Sequence, residues 1–203
     1  MFILGLWRAE TLLCFLDGVR SDQLSIQCEI FGHTLCDMLT SHRIHRDQRR
    51  KDVKASPYIN HPIALANVLV NEGGITDAET ICAALLHDTV EDTDTTPAQL
   101  RTEFGPRIRD IVLEVTDDKA LPKAERKRLQ IEHAGTASRK AKLVKLADKI
   151  CNVRDIAQAP PAQWSLKRQQ KYFDWAKKVV DRVRGVNAPL EFAFDKAYSR
   201  RPR

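Results

Sequence analysis

Residues 83–94 read AALLHDTVEDTD, a run that begins apolar and ends acidic. Upstream, residues 76–79 read TDAE, the Ser/Thr-x-x-Glu form of a capping box, and apolar residues follow at helical spacing. This pattern predicts a helix over about 77–91. On such a helix His87 lies one turn from Glu91, and Asp88 lies one turn from Asp92. One imidazole and three carboxylates therefore crowd one end of a helix.

These four groups together are costly unless something neutralises them, because the like charges of the three carboxylates lie close together at the negative end of the helix dipole. A divalent cation would reverse that cost. Imidazole and carboxylate are ordinary ligands of Zn, Mn and Fe, and carboxylates outside the ligand set would handle a bound water. The alternative interpretation is a solvated acidic helix end with His87 packed in the interior.

The composition indicates one domain. The chain has 203 residues, of which 43% are hydrophobic, enough for one well-buried core. Its net charge is +6, and part of that excess comes from Arg200, Arg201 and Arg203 near the C-terminus. An anionic ligand fits this balance, whether nucleotide, nucleic acid or membrane surface, and so does a soluble protein with a basic tail.

The cysteines and the apolar runs bear on location. The five cysteines are an odd number and contain no C-x-x-C pair, which is typical of reduced, structural thiols. No apolar run approaches the length that crosses a membrane. The apolar start of the chain lacks the basic n-region of a signal peptide. These features predict a cytoplasmic protein without a membrane partner.

Two further stretches precede the acidic helix end. Residues 42–52, HRIHRDQRRKD, are dense in cations. Three interpretations are open: an exposed basic helix end, a surface that binds nucleic acid, or a site where arginine binds a phosphate through two hydrogen bonds and stacks on a base. Residues 56–62, SPYINHP, predict a turn into a new helix. His61 at that helix start is either a capping or packing residue or a metal ligand.

A second informative helix is predicted over 141–155, AKLVKLADKICNVRD. Its core stripe consists of Leu143, Leu146, Ala147 and Ile150. Lys145, Asp148 and Asn152 share a different face. Two interpretations of that face are open. It is a surface salt-bridge network, or it carries a metal-binding aspartate between a lysine that binds phosphate and an amide that contacts a base or sugar.

A further helix pattern spans residues 164–183, where Arg168 and Tyr172 stand one turn apart. The pair is suited either to holding a phosphate by charge and hydroxyl or to ordinary surface packing. No strand-like alternation and no internal repeat occur, so the predicted class is all-α. We expect an N-terminal segment of unknown role over 1–40, the main domain over 41–198 and a basic tail over 199–203.

The order His61, His87-Asp88, Asp148 resembles that of the HD superfamily of metal-dependent phosphohydrolases. Five longer motifs are more specific than this order. They are HRDQRRKD (45–52), PYINHP (57–62), AALLHDTVEDTDTT (83–96), VTDDK (115–119) and KLVKLADKICNVRD (142–155). They resemble the hydrolase domain of the RelA/SpoT alarmone enzymes, and most closely the small stand-alone metazoan SpoT homologues. The resemblance covers about residues 45–198. It departs at the N-terminus, where an unfamiliar segment precedes residue 44, and no synthetase domain follows.

The resemblance implies a single all-α domain that binds one Mn ion and removes the 3′-diphosphate of guanosine tetra- or pentaphosphate, releasing pyrophosphate. A set of two histidines and two aspartates suits Mn or Fe, and Zn also binds such ligands. The implied roles are metal ligands for His61, His87, Asp88 and Asp148; catalytic carboxylates for Glu91 and Asp92; guanine flanking for Arg50 and Lys51; nucleoside contact for Asn152; and phosphate contacts for Lys123, Lys145, Arg168 and Tyr172.

Three alternatives differ in substrate or class. The same pocket would serve an NADPH 2′-phosphatase, which shares the metal and differs in what Arg50, Lys51 and Asn152 recognise. A non-enzymatic module would bind nucleic acid through the basic tracts, yet the acidic cluster would oppose that binding. An enzyme-like protein of low activity is the third. For the enzyme interpretation, the expected partner is a small nucleotide and not nucleic acid.

Overall fold

The computed structural model describes residues 48–50 and 56–203, and the predicted role of segment 1–40 lies outside them. Within these ranges the fold is helical, and extended pairing is confined to an isolated antiparallel bridge between Arg49 and Pro57. The helices are α1 (Asn60–Asn67), α2 (Ala78–Leu86), α3 (Thr89–Asp92), α4 (Pro97–Val115), α5 (Lys123–Ala134), α6 (Arg139–Gln158), α7 (Leu166–Asp181) and α8 (Ala188–Tyr198), with a π-helical turn at Val68–Glu72. The all-α prediction is confirmed.

Helix α2 begins one residue later than the predicted capping box. Its N-cap is Asp77, whose extended backbone lets the carboxylate accept from the Thr80 backbone N–H at 2.9 Å. The box predicted over 76–79 is therefore wrong. A capping box forms instead at the start of α4, where the Thr96 and Gln99 side chains each accept from the other's backbone N–H.

The single helix predicted over 77–91 is also wrong, because the chain breaks at His87 and Asp88 between α2 and α3. Asp88 has φ −101° and ψ 1°, which lies outside the helical region. The Thr89 hydroxyl donates to the Leu86 carbonyl at 2.6 Å and satisfies an acceptor at the end of α2. In an unbroken helix neighbouring residues face apart. The break lets the His87 and Asp88 side chains point to one place.

Helix α4 carries a sharp kink at Gly105. The φ of Gly105 is +83°, which a residue without a Cβ adopts readily, and Pro106 follows at a position where it starts the next helical part. The sequence pattern predicts that one helix ends at this glycine and another follows. That prediction is confirmed.

Helix α6 is the central element of the core. It packs against α1, α2, α4, α7 and α8. Its predicted apolar stripe is confirmed, since Leu143, Leu146, Ala147 and Ile150 are all buried. This packing places Asp148 among the surrounding helices. No helix within 48–50 and 56–203 combines the length and apolar character needed to cross a membrane.

Two phenylalanines on α8 allow a test of the core. Phe194 is fully buried and stacks on Tyr198 at 6.0 Å between ring centroids, whereas Phe192 is 70% exposed. We expect Phe194→Ala to lower the free energy of unfolding by about 3–5 kcal/mol, because it leaves a cavity. The control Phe192→Ala should change it by less than about 0.5 kcal/mol. Urea denaturation measures both, and equal losses would contradict the packing described.

Candidate metal centre

Three side chains from two segments meet at the centre of the fold. His61 lies in the first turn of α1, and His87 and Asp88 form the break between α2 and α3. Each offers one ligand atom, and these atoms all lie within 4.8 Å of one another. The two imidazole rings make an edge contact at 5.2 Å between centroids. This spacing allows one small cation to contact all three residues.

The His87 ring is oriented by the backbone. Its Nδ1 atom lies 2.8 Å from the Ala84 carbonyl, an acceptor, so Nδ1 carries the proton and donates it. Nε2 then faces the site, 2.9 Å from Oδ2 of Asp88. Within the described residues this buried Nε2 makes no hydrogen bond. A neutral imidazole fixed through Nδ1 presents Nε2 as a metal ligand.

Asp148 joins this group from α6. Its Oδ1 lies 3.2 Å from Nε2 of His61. The carboxylate also accepts from Lys149 at 2.7 Å and from the amide of Asn152. Burial raises the pKa of Asp148, but the charges of Lys149 and His61 outweigh burial and hold that pKa well below its usual range. Asp148 is therefore a carboxylate with a stable negative charge beside two histidines.

The donor set fits a divalent cation. Two imidazoles and two carboxylates are suitable ligands, and Nδ1 of His61 and Nε2 of His87 are buried without a hydrogen-bond partner in the described part of the chain. Without a cation, burial lowers the pKa of His87, but the charge of Asp88 outweighs it and raises the pKa to about 9. A metal bound here competes with that proton, because a ligand nitrogen must be deprotonated.

Glu91 and Asp92 lie beside this group on α3. Burial, together with the charges of Asp88 and Asp117, raises the pKa of Glu91 to about 7. A carboxylate with that pKa can accept and release a proton near neutral pH. The Asp92 carboxylate forms an ion pair with Lys119. The two predicted catalytic carboxylates therefore have different environments.

The profile of the HD domain matches residues 39–173. The chain belongs to the HD-domain family. It is 58% identical over 151 residues to guanosine-3′,5′-bis(diphosphate) 3′-pyrophosphohydrolase MESH1 of Xenopus tropicalis. The match covers 74% of this chain and 84% of the relative. The human MESH1 is 55% identical over 159 residues, which covers 78% of this chain and 89% of the relative. The predicted resemblance is confirmed.

A solved structure supports the same placement among HD domains. It belongs to a metazoan ortholog of SpoT, described as hydrolyzing ppGpp and playing a role in starvation responses. The likeness has a TM-score of 0.81 with 48% sequence identity, and it covers 83% of this chain and 94% of that chain. The prediction of one HD domain is thereby confirmed at the level of the fold.

The HD-domain site includes contacts that sequence reasoning missed. The Tyr58 hydroxyl donates to Oδ2 of Asp88, and Lys149 is a buried ammonium on Asp148. Tyr58 lies within the word PYINHP, but neither periodicity nor charge singles it out. Lys149 directly follows Asp148, and helical spacing rules do not pair adjacent residues. Both contacts orient carboxylates of the candidate ligand set.

Of the residues predicted to contact the nucleoside, two lie against or on α6 and one lies outside the described residues. Arg50 forms an ion pair with Asp155 at 2.7 Å, one turn beyond Asn152 on α6. Asn152 donates to the Asp148 carboxylate, so its amide lies at the HD-domain ligand group. Lys51 lies outside the described residues. Asn152 on α6 and Arg50, which pairs with Asp155 of the same helix, therefore lie on the α6 side of the candidate site.

Cations and aromatic rings gather on the other side of Asp148. The Arg168 guanidinium lies 4.4 Å from the centre of the Trp164 ring. Lys127 and Lys149 each place an ammonium 4.5 Å from the centre of the Trp175 ring. We call the following set the cationic cluster: Lys123, Lys127, Lys149 and Arg168. Burial and the charges of the other three lower the pKa of Lys127 to about 8.

Two more predicted phosphate contacts adjoin the cationic cluster. Tyr172 packs between Trp164 and Trp175 at 5.7 Å and 5.2 Å between ring centroids. Burial raises its pKa well above the usual value, with further contributions from the charges of Asp148 and Asp88. Lys145 is buried, and burial with the charge of Lys149 lowers its pKa to about 8. The HD-domain site thus has a positive wall beside its carboxylates.

Proposed function

We propose that this chain is a metal-dependent phosphohydrolase that converts guanosine 3′,5′-bis(diphosphate) and water to GDP and pyrophosphate. The observation that carries the proposal is the meeting of His61, His87, Asp88 and Asp148 in a chain 58% identical to a relative with this named activity. Water adds to the phosphorus attached to O3′ of the nucleotide. The bond from that phosphorus to O3′ breaks, which leaves a 3′-hydroxyl on GDP.

In this proposal the four converging residues hold one cation, which is Mn²⁺. When bound there, such a cation would lower the pKa of a water and offset charge on the phosphate. Glu91 accepts a proton from the attacking water, since its pKa of about 7 suits proton transfer near neutral pH. Asp92, paired with Lys119, is the second catalytic carboxylate and orients the water.

The substrate lies between the two walls of the site. Arg50 and Lys51 flank the guanine, and Asn152 contacts the nucleoside beside Asp148. Lys123, Lys145, Arg168 and Tyr172 contact the phosphates and neutralise charge that builds up in the transition state. The support for this assignment is the gathering of the cationic cluster around the rings of Trp164 and Trp175 next to the carboxylates.

The competing functions have less support. The names of the relatives favour the guanosine substrate over NADPH. A nucleic-acid interface would need free cations, yet Arg126 and Arg128 in the α5 run are paired with carboxylates. The buried free thiol of Cys151 suits a cytoplasmic location, which we include in the proposal. The proposal also includes a hydrolase domain over 41–198.

The test compares two substrates on metal-stripped protein. We expect addition of Mn²⁺ to restore pyrophosphate release from guanosine 3′,5′-bis(diphosphate), with little orthophosphate released from NADPH. The two products are measured side by side, and Zn²⁺ and Fe²⁺ are added in parallel. Orthophosphate from NADPH without pyrophosphate from the guanosine nucleotide would favour the 2′-phosphatase. A folded protein that binds Mn²⁺ and releases neither product would contradict the substrate class.

A further inference from the structure

Glu91 is held from the opposite side of the site by residues that are distant in sequence. The Asp117 backbone N–H donates to Oε2 of Glu91 at 3.3 Å. The Arg126 guanidinium donates to Oε1 at 3.4 Å. Each carboxylate oxygen therefore has its own donor, and the two donors come from the beginning of the α4–α5 connection and the first turn of α5. This arrangement restricts rotation of the carboxylate.

The connection between α4 and α5 is itself anchored over α3. Lys119 in this connection pairs with the Asp92 carboxylate. The Asp117 carboxylate accepts from the Gln130 amide on α5 at 2.6 Å. The α4–α5 connection, which carries the Asp117 donor, is therefore tied to α3 through Lys119 and to α5 through the Asp117 carboxylate. Its geometry relative to the two carboxylates is fixed by polar contacts on both sides.

Arg126 differs from the other arginine of the same run. Arg128 is 54% exposed at its side chain and pairs with both Glu125 and Glu132. Arg126 is 24% exposed, its Nε is buried without a hydrogen-bond partner among residues 48–50 and 56–203, and its recorded ion pair is with Glu91. A guanidinium that is mostly withdrawn from water and faces a carboxylate on another helix is not explained by a surface role.

We propose that Arg126 is a positioning residue that holds the Glu91 carboxylate in the orientation needed to accept a proton from water. The inference rests on the proposed function, because it assumes that Glu91 acts on the attacking water. Arg126 contacts none of the four candidate metal ligands in the recorded contacts of the described chain. Its removal therefore lowers the rate of the chemical step without weakening metal binding.

The test uses Arg126→Ala, with Arg128→Ala as a matched control on the same helix. We expect Arg126→Ala to lower kcat about 10- to 100-fold, the usual effect of losing a partner to an active-site group. KM for guanosine 3′,5′-bis(diphosphate) stays unchanged, and so does the affinity for Mn²⁺, measured by calorimetric titration of the metal-free protein. Arg128→Ala leaves all three values unchanged. Arg126→Lys recovers part of kcat, because it keeps a positive charge near Glu91.

Several outcomes would overturn the inference. An unchanged kcat in Arg126→Ala would refute the proposed positioning role. A raised KM with unchanged kcat would indicate that Arg126 contacts the substrate instead. Loss of Mn²⁺ affinity would show a general effect on the site. If Arg126→Ala fails to fold, Arg126→Gln carries the same expectation, since it keeps part of the side-chain length and a polar end without the charge. A wild-type protein that binds Mn²⁺ but releases no pyrophosphate would refute the proposed function instead.

Discussion

Substituting alanine for His61 or Asp148 is expected to abolish both metal binding and turnover. Both residues contribute to the candidate ligand group, and Oδ1 of Asp148 lies 3.2 Å from Nε2 of His61. Loss of a partner to a metal ligand already costs about 10- to 100-fold in affinity, and loss of a ligand itself costs more. The prediction is checked by calorimetric Mn²⁺ titration of the metal-free protein and by pyrophosphate release.

Thermal unfolding gives a second measurement that does not depend on activity. A ligand that binds only the folded state stabilises it by about 2.7 kcal/mol at 100 times its Kd. We therefore expect Mn²⁺ to raise the Tm of the wild type and not that of His61→Ala or Asp148→Ala. The exposed His133 and Asp181 supply the controls His133→Ala and Asp181→Ala, which should respond as the wild type does. Mn²⁺-dependent turnover in either ligand variant would exclude this metal site.

The order of the ligand group could be predicted from the sequence, and its local geometry could not. His61, His87, Asp88 and Asp148 are ionisable residues within recognisable words, and helical periodicity correctly identifies the buried stripe of α6. The predicted helix over 77–91, however, is broken at His87 and Asp88. Periodicity alone does not reveal this break, because the residues on both sides continue the apolar pattern.

Contacts between distant segments are the second feature that the sequence does not show. Arg126 is 35 residues from Glu91, and Tyr58 is 30 residues from Asp88. Helical spacing predicts neighbours on one helix, whereas these pairs depend on how separate helices pack. Helical patterning indicates that the cationic run of α5 is mostly solvated, and Arg128 fits that pattern. Arg126 in the same run does not, because its helix face turns toward α3.

Glu91→Gln is expected to retain Mn²⁺ and to lose turnover. Glutamine keeps the size of the side chain but cannot accept a proton from water at neutral pH. General base catalysis contributes about 10²- to 10⁴-fold, so kcat should fall by about that factor while Mn²⁺ affinity and KM remain unchanged. Single-turnover pyrophosphate release and calorimetric titration measure the two quantities. Glu132→Gln is the control, because Glu132 is exposed and pairs with Arg128 away from the site.

The pair of outcomes separates the role of Glu91 from that of a ligand. If Glu91 bound the metal, Glu91→Gln would lower Mn²⁺ affinity together with kcat, as His61→Ala does. If Glu91 only carried a charge on the surface, the variant would behave like Glu132→Gln. Neither result agrees with a partly buried carboxylate whose two oxygens are held by Arg126 and the Asp117 N–H. That environment keeps Glu91 outside the candidate ligand group yet fixed beside it, as the proposed proton transfer from water requires.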